Sequence, residues 1–424
     1  MRPAARTRTS TMRPPRAARR LQAAWALPSF RPNDTHPMST ATLFLQPAAA
    51  PHAAVAPIVG NRVELQLMTT LQCNLKCSYC SITQGDVRGS QGRVSYSFEQ
   101  LDAFIDRQLS GKDVYVTFYG GEPTLNRPFI EELMRRRPQY RYQLQTNGTL
   151  LDDLAPQVLR RLSNVLVSID GGPAVTDSYR GKGIYRRILA NIEQVRAQLG
   201  GTLTARVTWS DADIGFEELD ALTRTFDYVY FQFVAGDAYD AESMRKRKAV
   251  LDRLVQRFFA DTVAVYPFIP LMGTVRNKLF PARAHEQCHG RAQCRVSTHI
   301  LNVMPDGRIY PCPDLMHLPE TQTGDVKANW LRPSPLQQHP AMPCGGCEAQ
   351  AWCRGNCMKN LHLGYVAGDE AWRTKVTDPI CELVRHLGRA IDRHDAAGWC
   401  ARLPPAQRDR LLQAEVYDYV EIMP

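Results

Sequence analysis

The chain has 424 residues, 44% of them hydrophobic, which is enough to bury the core of one large domain and a smaller one. No stretch approaches the roughly 18 uninterrupted apolar residues of a membrane span, so we predict a soluble globular protein without membrane insertion. The net charge is +10, but residues 1–37 supply +7 of it through eight arginines against Asp34 alone. The remaining charge excludes a large phosphate-binding surface, and we predict no nucleic-acid partner.

Residues 1–60 are rich in Ala, Pro and Arg and show no hydrophobic periodicity, which predicts a disordered extension. Met38, which opens MSTATLFLQ, would be a natural start of translation. The alternative is a targeting peptide, because Arg19-Arg20 precedes a short apolar run around Leu21 to Leu27. Gln22 interrupts that run, which argues against export.

Between Val63 and Val234, short β-rich runs alternate with segments of helical spacing, a pattern typical of parallel βα units. The six predicted strands are Val63–Thr69, Val114–Tyr119, Tyr142–Thr146, Val165–Ile169, Leu203–Thr208 and Tyr228–Phe233. The helices predicted between them are Ser97–Gln108, Arg127–Arg136, Leu154–Leu162, Tyr185–Leu199 and Phe216–Thr225. In such an array, functional residues collect on the loops that follow the strands.

The rest of the chain changes character twice. Residues 241–280 predict one more helix and a linker, and from Ala284 onward turns dominate, with Pro and Gly among cysteines. Helical spacing returns at Leu383–Asp392 and Ala406–Glu415. The predicted segments are therefore 1–60, 61–240, 241–284, 285–384 and 385–424.

Eleven of the twelve cysteines fall into two groups, which favours metal binding or catalysis over disulfides. Cys73, Cys77 and Cys80 follow directly on the first predicted strand with the spacing Cys-x3-Cys-x2-Cys. Three thiolates can hold three irons of a [4Fe–4S] cluster and leave the fourth iron open to a small molecule. A zinc knuckle is the alternative, but a structural zinc site takes four ligands and no fourth lies nearby in the sequence.

With Tyr79 just before its third cysteine, this loop resembles that of the radical S-adenosylmethionine (SAM) superfamily. The resemblance implies a partial (β/α)6 TIM-like barrel, with SAM bound to the open iron. It also implies that an electron from an external donor such as flavodoxin or ferredoxin splits SAM into methionine and a 5′-deoxyadenosyl radical, which abstracts a hydrogen atom from the substrate. Because this cofactor exists inside cells, we expect a cytoplasmic protein.

Further segments at predicted strand ends resemble the SAM-binding motifs of that superfamily. Without the family, Gly-Gly-Glu-Pro, Gln-Thr-Asn-Gly and Ser-Ile-Asp-Gly are ordinary turn sequences. The resemblance assigns the methionine amino group to Gly-Gly-Glu-Pro, the SAM carboxylate to Arg180 and the adenine to the end of the sixth strand. The residues assigned to SAM in this way are Tyr79, Gly120, Gly121, Glu122, Pro123, Thr146, Asn147, Ser168, Asp170, Arg180 and Val234.

The second group of cysteines, with Gly307 among them, resembles the SPASM domain in the order of its spacings. The resemblance implies two auxiliary [4Fe–4S] clusters, and three clusters in the whole chain. It assigns to the first auxiliary cluster Cys288, Cys294, Cys312 and Cys357, and to the second Cys344, Cys347, Cys353 and Cys381. Zinc ribbons are the alternative for the segment from Cys344 to Cys357.

Two residues are candidates for a catalytic role that the sequence leaves unassigned. Cys400 is either an inert buried thiol or a hydrogen-atom donor, as in some peptide epimerases of similar architecture. Asp314 lies one position later than the aspartate base of the anaerobic sulfatase maturases, because Pro313 follows Tyr310-Pro311-Cys312. This departure weakens the assignment of such a base.

The pair of domains implies a peptide or protein substrate, and we predict maturation of a ribosomally made precursor peptide by a crosslink or side-chain oxidation. The segment between Met38 and the first strand is too short for a leader-binding winged helix, so a separate leader-binding protein or the barrel rim would recognise the precursor. Alternatives are a sulfatase-maturase-type oxidation and a small-molecule radical dehydrogenase. In a different class, a non-catalytic iron–sulfur electron carrier would not need Gly-Gly-Glu-Pro or Arg180.

Overall fold

The computed structural model describes residues 57–80, 92–209, 214–233, 239–283, 294–297, 299–316 and 318–418. The strands of these residues form one ten-stranded sheet. They are β1 (Arg62–Thr70), β2 (Asp113–Gly120), β3 (Arg141–Thr146), β4 (Leu162–Ser168), β5 (Thr202–Trp209), β6 (Tyr228–Phe233), β7 (Ile300–Val303), β8 (Arg308–Tyr310), β9 (Gly324–Asp325) and β10 (Trp330–Leu331).

The order of the sheet is β10-β9-β8-β7-β1-β2-β3-β4-β5-β6. Strands β1 to β6 pair in parallel, each with the next, and β7 pairs in parallel with the other side of β1. Strands β8, β9 and β10 extend the sheet with antiparallel pairings. The predicted α/β fold, with six parallel strands like a partial TIM barrel, is confirmed.

Helices follow most of the strands. Before β7 they are α1 (Phe98–Gln108), α2 (Arg127–Arg136), α3 (Pro156–Arg161), α4 (Pro173–Arg180), α5 (Ile184–Val195), α6 (Phe216–Leu222), α7 (Ala241–Phe259) and α8 (Ile269–Leu279). After β10 they are α9 (Gln350–Cys353), α10 (Met358–Leu361), α11 (Glu370–Trp372), α12 (Asp378–Asp392), α13 (Ala396–Arg402) and α14 (Pro405–Gln413). None of the helices in the described residues is long and apolar enough to cross a membrane.

Strand β1 shows why the inside of the barrel is polar. Val63, Leu65 and Leu67 are fully buried in the main apolar core. The alternate residues face the opposite side of the sheet, where Glu64 is also fully buried and accepts a hydrogen bond from Gln143 Nε2 at 3.2 Å. A polar interior therefore lies below the carboxyl ends of the strands.

Two features differ from the sequence-based expectation. Residues 241–280 were predicted to hold one helix and a linker, but they contain two helices, α7 and α8. All residues from Ile269 to Asn277 are buried, so α8 has no polar face to produce an amphipathic pattern. In addition, the predicted segment 285–384 supplies β7 to β10, which continue the sheet of the barrel.

Candidate cofactor and cluster sites

The first group of cysteines lies on the loop that leaves the carboxyl end of β1. Cys73, Cys77 and Cys80 are all partly buried. The backbone N–H of Leu75 donates to Cys73 Sγ at 3.4 Å, and Asn147 Nδ2 donates to the same sulfur at 3.8 Å. Because Asn147 directly follows β3, this contact ties the cysteine loop to a second strand end.

The three thiols of this loop influence one another electrostatically. Burial raises the pKa of the Cys73 thiol, and it raises the pKa of Cys77 to about 11. Arg180 opposes the rise in the pKa of Cys77, whereas Cys80 and Cys73 add to it. Bound iron would compensate for burial of the thiolates, since a coordinating thiol is deprotonated by the metal's charge. The loop therefore fits a cluster held by three cysteines.

Tyr79, within the same loop, is fixed to the end of β4. Its hydroxyl donates to Asp170 Oδ2 at 2.6 Å. Arg180 on α4 donates to the same carboxylate from Nε at 2.8 Å and from Nη2 at 3.0 Å. The structure thus brings together three residues that the resemblance assigned to SAM. In the structure they bind one another. In particular, the carboxylate that Arg180 binds in the structure is that of Asp170.

Glu122 is fully buried and accepts four hydrogen bonds. They come from Thr124 N at 3.1 Å, Thr124 Oγ1 at 2.6 Å, Thr146 Oγ1 at 2.7 Å and Asn147 N at 2.7 Å. Burial raises the pKa of Glu122, although these hydrogen bonds lower it in part. The carboxylate joins the ends of β2 and β3, and an ammonium would have to bind beside these four donors.

The two glycines before Glu122 are required by the chain itself. Gly120 has a φ of +138°, and a Cβ there would lie 2.2 Å from the carbonyl oxygen of Thr70. A Cβ on Gly121 would lie 2.3 Å from the carbonyl oxygen of Gln72. The space beside both glycines is therefore occupied by the backbone at the start of the cysteine loop.

The other residues assigned to SAM are more scattered. The carbonyl of Pro123 accepts a hydrogen bond from Thr69 Oγ1 at 3.3 Å, and Ser168 is partly exposed at the end of β4, opposite Arg206 on β5. Val234 lies outside the described residues. Asn74 was not predicted from the sequence as a site residue, and its Oδ1 accepts a hydrogen bond from Asn147 Nδ2 at 2.8 Å. Its position directly after Cys73 was the available signal.

Three cysteines of the second group line one cavity of about 110 Å³. The residues around it include Cys294, Cys312, Cys357, Gln232 and Phe233. Since Gln232 and Phe233 end β6, the cavity borders the rim of the barrel. Cys288, the fourth cysteine assigned to this set, lies outside the described residues.

Lys359 and Asn360, which were not predicted as site residues, line the same cavity. Lys359 is only 9% exposed, and its Nζ lies 2.8 Å from Asp314 Oδ2. Burial alone would lower the pKa of Lys359, but Asp314 and the thiols of Cys357 and Cys312 outweigh it and raise the pKa above its usual value. Asn360 Oδ1 is buried without a hydrogen-bond partner among the described residues. A half-turn of that amide would offer its N–H groups to a sulfur atom.

Four cysteines line a second cavity of about 290 Å³, and they are Cys344, Cys347, Cys353 and Cys381. Four thiols around one cavity match the ligand number of a complete [4Fe–4S] site. Burial raises the pKa of the Cys381 thiol to about 12, which disfavours its thiolate. Bound iron would compensate by stabilising the thiolate. Across the described ranges, no three His, Cys, Asp or Glu side chains lie close enough to share a single metal ion.

The two candidates for a catalytic role lie in different surroundings. Asp314 lines the first cavity beside Lys359. Cys400 on α13 is 7% exposed and packs within the main apolar core. Burial raises the pKa of the Cys400 thiol, which is the environment of an inert thiol.

The chain is similar to several known proteins. The Radical SAM superfamily profile matches residues 67–208. The Fe-coproporphyrin III synthase of Methanosarcina barkeri (strain Fusaro / DSM 804) is 32% identical over 133 residues, which are 30% of this chain and only 33% of that protein. The cysteine-type anaerobic sulfatase-maturating enzyme of Clostridium novyi (strain NT) is 22% identical over 339 residues, which are 70% of this chain and 87% of that protein.

Among solved structures, histidine-tagged anSMEcpe with bound AdoMet aligns with a TM-score of 0.61 at 18% identity, covering 78% of this chain and 97% of that chain. Native anSMEcpe with bound AdoMet and the Cp18Cys peptide aligns with a TM-score of 0.54 at 18% identity, covering 78% and 99%. At these identities the likeness shows a shared fold. The predicted resemblance is confirmed: the chain carries a Radical SAM superfamily domain, over residues 67–208.

Proposed function

We propose that this chain matures a ribosomally made precursor peptide by radical SAM chemistry, oxidising or crosslinking one of its side chains. The observation that carries the proposal is the shared fold with anSMEcpe, whose structure contains both AdoMet and a peptide. The alignment covers 99% of that chain and 78% of this one. We further propose that a separate protein binds the leader of the precursor, and that flavodoxin or ferredoxin supplies electrons.

The proposed cofactors are SAM and three [4Fe–4S] clusters, at the Cys73 loop and at the two cysteine-lined cavities. With SAM bound, a cluster held by Cys73, Cys77 and Cys80 would supply the radical chemistry that removes a hydrogen atom from the peptide. The chain's own share is orientation: Asp170 and Arg180 hold Tyr79 and the cysteine loop, and Glu122 holds the strand ends together. Closing the site would exclude water and oxygen from the radical.

The second set of cysteines suits electron transfer. A two-electron oxidation of the peptide takes one hydrogen atom to the radical and leaves one electron and one proton to be removed. Four thiols around the second cavity would complete the ligands of its cluster and leave no position for substrate. The first cavity borders the barrel rim through Gln232 and Phe233, so a cluster there would lie beside the barrel.

The first test is SAM cleavage by oxygen-free, reconstituted protein with dithionite as reductant. We expect 5′-deoxyadenosine from the wild type and none from the variant in which Cys73, Cys77 and Cys80 are all replaced by alanine. Cys400→Ala is the matched control, because it removes a buried thiol outside both cysteine groups. A triple variant that still forms 5′-deoxyadenosine would overturn the proposed chemistry.

The second test concerns the substrate. Peptides encoded by short reading frames beside the gene are incubated with enzyme and SAM and analysed by mass spectrometry. We expect a mass loss of about 2 Da from loss of two hydrogens, and transfer of deuterium from a labelled peptide into 5′-deoxyadenosine. SAM cleavage without modification of any such peptide would contradict the precursor-peptide assignment.

A sulfatase-maturase-type oxidation is the second candidate. It is favoured by the Clostridium novyi relative, which matches over 87% of its length, and by Asp314 beside the first cavity. Incubation with an unmodified peptide that contains the cysteine or serine that is oxidised in a sulfatase distinguishes the two proposals. Modification of that peptide, with none of the neighbouring gene products changed, would support this candidate instead.

A further inference from the structure

Lys359 is a buried cation at the first cysteine-lined cavity. It lies two residues after Cys357 and lines the cavity together with Cys294, Cys312 and Cys357. Its Nζ is 2.8 Å from Asp314 Oδ2 and 5.5 Å from the centre of the Trp372 ring. Burying an ammonium is costly even when it is paired, so a lysine held beside three thiols requires a physical explanation.

We propose that Lys359 raises the reduction potential of the iron–sulfur cluster bound at this first cavity. The inference rests on the proposed function, which places an auxiliary cluster there. Reduction adds a negative charge to a cluster, and a nearby cation stabilises the reduced form more than the oxidised one. The backbone N–H groups of Lys359 and Asn360 also donate to the Cys357 sulfur. Hydrogen bonds to a cluster sulfur likewise stabilise the reduced cluster.

The negative partner of Lys359 does not cancel this effect. The Asp314 side chain is 51% exposed, whereas the Lys359 side chain is 10% exposed. Water and salt screen an exposed charge much more than a buried one. The buried ammonium therefore acts on the cluster more strongly than the carboxylate, although both line the cavity.

The second cavity has no equally buried cation among its described lining residues. Its basic residue is Arg385, whose side chain is 31% exposed and bound to Glu382 at 3.2 Å. The first centre is thus the easier of the two to reduce. Because the first cavity also borders the end of β6, this difference makes it the first acceptor of the electron that leaves the substrate.

Redox titration followed by electron paramagnetic resonance tests the proposal. The background is the full chain with Cys73, Cys77 and Cys80 replaced by alanine, so that only the auxiliary centres are reduced. We expect Lys359→Met to lower one of two midpoint potentials by about 59 mV, a tenfold change in the ratio of oxidised to reduced centre for one electron. Asp314→Asn should raise the same potential.

Two further variants serve as controls. Lys375→Met removes an exposed lysine from the same segment of the chain and should leave both potentials unchanged. Arg385→Met should shift the other centre, and by less. Asp314→Asn also keeps the proposal testable if Lys359→Met fails to retain its cluster, because a purely structural role for the pair predicts no rise in potential.

Iron analysis separates this inference from its premise. About eight irons per chain in the background protein are expected for two [4Fe–4S] clusters. If iron is complete and neither Lys359→Met nor Asp314→Asn moves a potential in the stated direction, the role of Lys359 is wrong while the cluster assignment stands. If the background protein binds no iron, both are wrong.

Discussion

At the scale of single residues, the most consequential interaction in the barrel is the buried ion pair of Asp170 and Arg180. Their side chains are 0% and 5% exposed, and two hydrogen bonds join them. Taking both charges out of water is costly, so the pair contributes little net stability, but removing one partner leaves an uncompensated charge. Because Tyr79 donates to the same carboxylate, the pair also holds the cysteine loop.

We therefore expect Arg180→Met to lower the free energy of unfolding by about 3–5 kcal/mol. Among the described residues, Asp170 would then keep the Tyr79 hydroxyl and the Thr208 N–H as its donors. Adding Asp170→Asn to that variant should restore much of the loss, because no unpaired charge is left. Urea unfolding of the cluster-free proteins measures the free energy of unfolding of the single and the double variant. A double variant no more stable than Arg180→Met would contradict this expectation.

Gly120 gives a second prediction at this scale. Alanine there would place Cβ 2.2 Å from the Thr70 carbonyl oxygen, so β1 and β2 would have to separate just before the cysteine loop. Gly111→Ala is the matched control, since Gly111 also has positive φ, +72°, but no atom lies within 4 Å of its Cβ position. The control should cost about 1–2 kcal/mol from backbone strain alone.

Gly120→Ala should cost more than this control and should also reduce iron binding at the Cys73 loop by about four irons per chain. Urea unfolding and iron analysis of the two proteins give the comparison. Equal stability and equal iron content in both variants would show that the close approach of the strands is not needed.

At the scale of elements, the sequence predicted β1 to β6 with bounds within three residues of those observed. Each of these strands is a short β-rich run between turn residues or helix caps, so local chemistry defines it. Helix α8 was not predicted, because a helix buried on every side has no polar periodicity. Strands β7 to β10 are two to four residues long, and β7 joins the sheet through β1, which is more than two hundred residues away in the chain.

In the candidate site too, some features could be predicted from the sequence and others could not. The cysteine groups were visible in the sequence because their spacings can be recognised without knowledge of the fold. The pairing of Asp170 with Arg180 was not, because both had been assigned to a ligand and spacing alone does not show that two side chains meet. Lys359 was missed for a similar reason: its burial follows from the packing of residues that are distant in sequence.

Helix α12 carries Cys381 near its start and provides a prediction about an element. Leu387 on this helix is 2% exposed in the main core, whereas Lys248 on α7 bridges to Glu382 at 2.8 Å with side chains 31% and 30% exposed. Apolar packing should therefore dominate the docking of α12. We expect Leu387→Ala to cost about 2–5 kcal/mol and Lys248→Met less than about 1 kcal/mol.

Urea unfolding measures these costs, and iron analysis shows whether the second cysteine set still retains its metal in each variant. We expect Leu387→Ala to retain less iron than Lys248→Met, because Cys381 lies on this helix. Greater damage from Lys248→Met would mean that the ion pair, and not the apolar face, positions this cysteine.

At the scale of the whole molecule, the cysteine-rich region and the barrel share one sheet and one apolar cluster. Strand β7 pairs with β1, the strand that leads into the Cys73 loop. Met304 and Tyr310 pack against Met68 and Leu71, which lie just before that loop. The first cysteine group therefore depends structurally on a part of the chain that is more than two hundred residues away in sequence.

A chain ended at residue 283 tests this dependence. It would expose the edge of β1 and the apolar side chains of Met68 and Leu71, and an unpaired strand edge is a template for aggregation. We expect this shortened chain to aggregate and to bind no cluster at the Cys73 loop. The full chain with Cys344→Ala and Cys347→Ala is the control, because it removes two thiols that line the second cavity and keeps β7 in place. Size-exclusion chromatography and iron analysis compare the two, and a monodisperse shortened chain that holds about four irons and binds SAM would show that the barrel is complete without β7.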